Sequence, residues 1–386
     1  MCLARQRFLG AAAHDARRAT EDATPASVEA APLVSVLIPA RNEQHRILAE
    51  CVGSILAQDY ARFEVVAVND RSIDATALIL RALAATDARL RVVEGREPPA
   101  GWLGKPFALQ QALEVSRGEW VLATDADMVF DPAALRTALE YARGRNSDAL
   151  SLIPHFEAHS FWERVFIPTW GWGMLILYPL DLVNHPRSPL AVGIGGFILM
   201  RRAALEHVGG FGAVRAEVLD DFRLAGALKH SGARMLAEYA PRLARTRMYT
   251  DFRGLWESAT KNWFAAHRFS LTLAAANLVW VFFVGLLPPL LAVFSGLMLL
   301  LGGGEFWRQL FVPAFSAWVV CVALLALINK RFGVPAVYAL TAPLGWILCC
   351  AVLVSSAAGV LGGRGLVWKG RRFYERAGVR PPQGKR

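Results

Sequence analysis

The chain has 386 residues, 54% of them hydrophobic, a formal net charge of +10 and a mean hydropathy of +0.33. That is too apolar for soluble domains alone. The basic excess does not mark a nucleic-acid binder, because no recognition module accompanies it, and the five cysteines (Cys2, Cys51, Cys321, Cys349, Cys350) show neither zinc-ligand spacing nor a disulfide framework.

Residues 1–32 mix Arg, Asp, Ala and Pro, and the run FLGAAA is too short for the apolar region of a signal peptide, so they are expected to form a disordered or weakly helical arm. LVSVLIP (33–39) is a continuous apolar run closed by proline, the mark of a strand buried on both faces. A helix is predicted from about His45 to Gln58, then a second buried strand, FEVVAVND (63–70). A helix capped by Ser72 and a short strand, LRVVE, follow. A helix over Lys105–Ser116 and a strand in EWVLATDAD (119–127) complete the series. Alternation at this spacing predicts an α/β domain with a mostly parallel sheet, whose ligand sits at the carboxyl ends of the strands.

Three strands end in polar residues on that one edge: Ala40, Arg41 and Glu43 after the first, Asp70 after the second, and Asp125 with Asp127 after the fourth. Adjacent carboxylates repel unless a cation lies between them, and a site of oxygen ligands alone favours Mg²⁺ or Mn²⁺. Such an ion commonly serves a diphosphate. As an isolated pattern D-x-D is weak, and capping of a helix starting near Asp131 is the competing explanation.

VSVLIPARNE, VVAVNDRSIDAT, LATDADMVF, GGFILMRRAALEHVGGF and EVLDDFRLA occur in the order and spacing of the inverting family 2 glycosyltransferases with the Rossmann-like GT-A fold, and residues 33–268 resemble that family. GWLGKPFALQQA and SFWERVFIP look most like its hopene-associated members, and the stretch around TKNWFAA resembles membrane-bound relatives that glycosylate lipids. The resemblance implies a nucleotide-sugar site built from Pro39, Ala40, Arg41, Glu43, Asp70, Lys105 and Asp125, with Glu43 and Asp70 on the nucleoside. It implies that Asp127, with Asp125 beside it, ligates the metal on the diphosphate, and that Asp221 is the catalytic base with Asp220 in support. Lys105 would add positive charge at the phosphates and Trp102 would cover the pocket, a solvated turn being the other reading of that loop. GIGGFILMRR (193–202) is expected to border donor sugar and acceptor, or to be a structural bend.

The Q-x-x-R-W motif of processive polysaccharide synthases is missing from WESATKNWFAAHRF (256–269), which disfavours polymer synthesis. Lys261 and Trp263 in that stretch are candidates for holding phosphate or acceptor, and a basic amphipathic helix on the membrane surface is the alternative. Residues 160–183 carry three tryptophans, two prolines and an early Glu163–Arg164 pair. They are predicted to be an interfacial segment within the 33–268 domain, burial in the enzyme's own core being the competing reading.

Beyond residue 268 three uncharged stretches follow, of 34 residues (271–304), 21 (309–329) and 32 (332–363), each long enough to span a bilayer. The expected organisation is therefore the arm, a catalytic domain over 33–268, a transmembrane region over 269–363 and a basic tail over 364–386. From Gly363 onward eight basic residues stand against one acid, which suits the cytoplasmic leaflet. Three crossings would put that tail outside if NKRF (329–332) were a cytoplasmic loop. Division of the first stretch at Pro288–Pro289 into two short or re-entrant helices is one way to bring it back.

The function expected is that of a hexosyltransferase-type enzyme in the inner (plasma) membrane, multi-pass, with its catalytic domain in the cytoplasm. It would transfer one sugar from a nucleotide-sugar to a lipid or lipid-linked acceptor, with no nucleic-acid partner. A processive synthase and a non-catalytic membrane protein with a degenerate transferase domain are the alternatives.

Overall fold

The computed structural model describes residues 31–368 and 371–373; the expected arm up to residue 30 and the tail residues 369–370 and 374–386 lie outside the described residues. The described residues form two compact units, one from 31–156 together with 178–248, the other from 157–177 together with 249–368 and 371–373. The division is thus not a single cut near residue 268.

In the first unit the strands are β1 (Val34–Ala40), β2 (Phe63–Asn69), β3 (Leu90–Glu94), β4 (Trp120–Ala123), β5 (Met128–Phe130), β6 (Ala149–Ile153), β7 (His155–Phe156), β8 (Ile198–Arg201), β9 (Met235–Tyr239) and β10 (Ala244–Thr246). Seven of them form one sheet in the order β3-β2-β1-β4-β8-β6-β9. All neighbours are parallel except β8, which runs antiparallel to both β4 and β6. A second sheet, β5-β10-β7, holds the chain just after the D-x-D turn. Strands β2 and β4 leave β1 on opposite sides, so the chain's order reverses there and opens a crevice at the carboxyl edge.

The apolar runs of β1 and β2 are buried on both faces because helices cover both sides. Val36 and Ile38 pack with Leu48, Val52 and Ile55 of α1 (Leu48–Leu56), and Leu37 packs on the opposite face with Ala108, Leu109 and Ala112 of α3 (Gly104–Val115). Helix α2 (Thr76–Ala84) starts later than the sequence suggested, and Ser72 does not cap it. Ser72 Oγ instead accepts the Asn42 N–H at 3.1 Å, while the Asp74 carboxylate accepts that of Thr76 at 3.0 Å. Asp131 receives the Ala133 N–H at 2.9 Å ahead of α4 (Ala134–Gly144), whose N-cap makes no side-chain capping bond, so neither Asp125 nor Asp127 caps it.

The second unit begins with α5 (Phe161–Leu177), a helix with Pro168 inside it and a closed capping box at its start. There Glu163 accepts the N–H groups of His159 and Ser160, both at 2.6 Å, and its own N–H goes to Ser160 Oγ. Val165, Phe166, Ile167 and Trp172 are buried, so this stretch is a packed helix. Helix α6 (Asp220–His230) belongs to the first unit, and α7 (Phe252–Ala266) opens the long run of the second.

Leu271–Leu300 is one 30-residue helix, not two short ones. It comprises α8 (Leu271–Val281), a π turn (Phe282–Leu286) and α9 (Leu287–Leu300). The π turn precedes Pro288 and Pro289, which have no N–H to return to the carbonyls of Val284 and Gly285. Cys321 Sγ approaches the Val284 oxygen at 3.8 Å in their place. Helix α10 (Glu305–Arg331) absorbs most of NKRF into its last turn, so that segment is no loop. A 3-10 turn (Ala336–Thr341) leads to α11 (Ala342–Leu361), and a two-stranded hairpin, β11 (Leu366–Trp368) and β12 (Arg371–Phe373), follows. Among the described residues three helices are long and apolar enough to cross a membrane: Leu271–Leu300, Glu305–Arg331 and Ala336–Leu361.

Candidate active site

The loops after β1 and β2 are laced to each other. Arg41 Nη1 donates to the carbonyls of Asp70 (2.7 Å) and Arg71 (3.2 Å), the Asp70 N–H reaches the Ala40 oxygen at 2.8 Å, and the Glu43 N–H reaches Thr76 Oγ1 at 2.7 Å. Asn42 and Arg71 adopt left-handed backbone (φ 51° and 53°), which turns each loop sharply off its strand. Arg41 thus fixes the ends of the two strands by holding backbone oxygens. Pro39 and Ala40 pair in register with Val68 and Asn69, which sets Glu43 and Asp70, both buried, on adjoining strand ends. Asp70 also pairs with Arg71 at 3.3 Å.

Strand β4 stops at Ala123, so Asp125 and Asp127 lie in the turn that carries the chain from the main sheet into β5. The two carboxylates face different cations. Lys105 Nζ sits 2.7 Å from Asp125 and 3.7 Å from Asp220, whereas Arg46 Nη2 sits 2.8 Å from Asp127. Arg46 also donates to the carbonyls of Arg247 and Met248 at 3.3 and 3.2 Å. Its spacing of three residues from Glu43 along ARNEQHR was the available signal, and sequence reasoning assigned it no role.

Helix α6 starts at Asp220, placing the acidic pair in its first turn where the helix dipole favours negative charge. Asp221 accepts the N–H groups of Gly195 at 2.9 Å and of Phe222 at 2.8 Å. Gly195 is the junction: a Cβ there would lie 2.8 Å from Lys105 Nζ, 2.9 Å from Asp125 Oδ2 and 3.2 Å from Asp221 Oδ2. One ammonium and two carboxylates therefore converge on the space a side chain at 195 would fill, which explains the glycine there in GIGG.

Burial lifts the Asp221 carboxyl above the ordinary carboxylate range, Lys105 opposing that rise and Asp125 adding to it. Lys105 is pushed the other way from a typical buried lysine. Burial favours its neutral form, but Asp125, Asp220 and Asp221 together hold the ammonium well above its usual range. Trp102 stands edge-on to Phe107, ring centroids 5.5 Å apart, and its ring lies over Gly212. Lys261 and Trp263 belong to the second unit, on α7, where Trp263 packs 5.4 Å from Phe166.

Among the described residues no group of three or more His, Cys, Asp or Glu could enclose a metal ion. Asp125 and Asp127 are two hard oxygen donors in one turn. That fits Mg²⁺ or Mn²⁺, which are commonly held by one or two carboxylates while phosphates and water complete the shell.

A mostly parallel sheet with one reversed strand, acids at its carboxyl edge and an acidic helix start facing them define a catalytic domain of the GT-A type. Residues 35–209 match the family described as Glycosyl transferase family 2. Among its relatives, the glycosyltransferase AglD of Haloferax volcanii is 33% identical over 138 residues, covering 34% of this chain and 21% of that protein. An N-acetylglucosaminyltransferase of Mesorhizobium japonicum is 36% identical over 119 residues, covering 30% of this chain and 27% of that protein. The chain thus aligns with less than a third of the length of either. A mannosyltransferase from Pyrobaculum calidifontis, solved with GDP-Man and Mn²⁺, shares the fold with a TM-score of 0.50 at 21% identity, over 92% of this chain and 96% of that one.

Proposed function

We propose that this protein is a membrane-anchored inverting glycosyltransferase that moves one hexose from a nucleotide-sugar to a lipid or lipid-linked acceptor. The observation that carries the reading is the convergence of Lys105, Asp125 and Asp221 on Gly195. Inverting transfer needs a base on the face of the sugar opposite the leaving phosphate. Asp221 is that base: its Gly195 and Phe222 contacts fix the carboxylate, and its raised proton affinity suits removal of a hydroxyl proton. Asp220 and Asp125 keep Lys105 charged, and Lys105 in turn limits the repulsion among the three acids. Glu43 and Asp70 receive N–H and O–H donors of the nucleoside at the laced loops.

A divalent ion on Asp125 and Asp127 would neutralise the departing nucleoside diphosphate. The Mn²⁺ and GDP-Man of the Pyrobaculum enzyme support a metal and a nucleotide-sugar here. The three apolar helices and the relatives' transferase roles support a glycoconjugate product made at a membrane. Since nucleotide-sugars are made in the cytoplasm, the catalytic domain faces it. Membranes holding the full chain, incubated with a panel of nucleotide-sugars, should yield one extractable lipid carrying a single added sugar. A polymeric product would favour a processive synthase, and failure to release nucleotide from any donor would favour a degenerate domain.

A further inference from the structure

We infer that only two of the three apolar helices cross the bilayer, so that Lys330, Arg331 and Arg364 all meet the anionic headgroups of one leaflet and only the turn at 301–304 emerges on the other side. The pairings within the second unit fix the directions. Helix α10 runs antiparallel to the first long helix: Phe311 packs on Gly296, Trp307 stands 5.5 Å from Phe294, and Cys321 meets Val284. The last turn of α10, with Lys330 and Arg331, therefore lies toward the Leu271 end of that helix.

Helix α11 is also antiparallel to the first helix. Trp346 packs against Gly285 and stands 5.9 Å from Trp280, while Leu353 clusters with Ala274 and Phe264. Two helices that oppose the same third one point the same way. Helix α11 is therefore not the return stroke of α10. The buried Asn329 side chain, in the orientation that satisfies both its ends, donates to the Leu325 oxygen at 3.2 Å and accepts the Ala339 N–H at 3.1 Å, so the 3-10 turn folds back along α10 and restarts α11 beside the middle of the first helix. At 1.5 Å per residue, Gly285 is roughly 20 Å from Leu271, so the 20-residue α11 begins partway up and ends beyond the Leu271 level.

The neighbours of α11 agree. Gly345 abuts Thr169 of α5, and Ser356 Oγ donates to the Thr260 oxygen at 2.5 Å and accepts the Phe264 N–H at 3.1 Å, both on α7. Helix α7 carries Arg253, Glu257 and Lys261 along one stripe, with the Arg253 side chain 89% exposed. Such a stripe has no place in hydrocarbon. Helix α11 packs on α5 and α7 and is more buried than the other two long helices, though Ile347 and Val354 face outward, whereas α9 and α10 present Leu290, Val293, Leu297, Val312, Val319 and Val320 outward. This arrangement removes the conflict between the two basic segments, since both then obey the positive-inside bias.

The inference rests on helix pairing and on where the charged residues fall, and stands or falls apart from the transferase reading. In a chain whose native cysteines are replaced, Gly304→Cys, Lys330→Cys and Arg364→Cys would each be exposed to an impermeant maleimide in intact and in permeabilised cells. Residue 304 should label in intact cells, and residues 330 and 364 only after permeabilisation. Labelling of 364 together with 304 from outside means three crossings and overturns the inference, as does equal labelling of all three from one side. A carboxy-terminal fluorescent protein that matures only in the cytoplasm, fused to the chain with its own cysteines, gives an independent reading. Fluorescence is expected, and a dark, full-length, membrane-inserted fusion overturns the inference.

Discussion

Arg46 Nη2 lies 2.8 Å from Asp127 Oδ2, so a carboxylate proposed to bind a divalent ion is held by an arginine of the loop after β1. Arginine and metal must compete for that oxygen. The pair is partly exposed, 25% for the Arg46 side chain and 19% for Asp127, so breaking it is worth only about 1 kcal/mol, or roughly fivefold in affinity. Arg46→Met is expected to tighten Mn²⁺ binding by about that factor, measured without donor by electron paramagnetic resonance, and Asp127→Ala to abolish it. Weaker Mn²⁺ binding by Arg46→Met would show that the arginine supports the ion. Chelator should stop transfer, and Mg²⁺ or Mn²⁺ should restore it.

Asp221→Asn keeps the size of the side chain but removes its basic lone pair. Turnover should fall by roughly 10²-fold or more, with donor affinity nearly unchanged by calorimetry. Near-normal turnover in a folded protein would move the role of base to Asp220 or Glu217.

Because burial raises the Asp221 carboxyl, and the reaction needs its ionised form, activity should begin to fall on acidification above the pH range where an ordinary carboxylate titrates. The charged groups facing it are Lys105 and Asp125. Lys105→Met removes the one that favours ionisation, so the acid limb of kcat/KM should move to higher pH at saturating metal. A shift to lower pH would mean that Lys105 acts on Asp221 by another route.

Gly195→Ala places a methyl group against Lys105, Asp125 and Asp221 at once. The contacts are with the ends of flexible side chains, so the fold should survive with Tm changed by no more than a few degrees. The displaced site should lose on the order of 10²-fold in kcat/KM. Full activity would mean that the three groups need not converge.

Much of this architecture was legible from local chemistry. Continuous apolar runs gave β1 and β2. Other features depend on partners distant in sequence. Ser72 looked like a cap, but its hydroxyl is taken by Asn42, thirty residues earlier. Arg46 shows its connection to Asp127 only when the sheet brings the two loops together. The proline pair at 288–289 looked like a break, yet a π turn and the Cys321 thiol accommodate the missing donors, and the helix continues. Residues 160–183 looked interfacial by composition, and no periodicity within them reveals that Trp172 meets Trp346 at 5.4 Å.

The second unit takes α5 from the middle of the catalytic sequence, and this governs how a nascent chain can assemble. Phe166 and Trp172 leave the ribosome before any residue of α10 or α11 has been made. At 5–20 residues per second the helix waits on the order of ten seconds for the surfaces that will bury it. Throughout that interval its apolar side must rest on the bilayer or on a chaperone. Soluble expression by truncation after Met248 would make that exposure permanent, leaving Val165, Phe166, Ile167 and Trp172 without their helical partners in a chain otherwise able to form the complete main sheet.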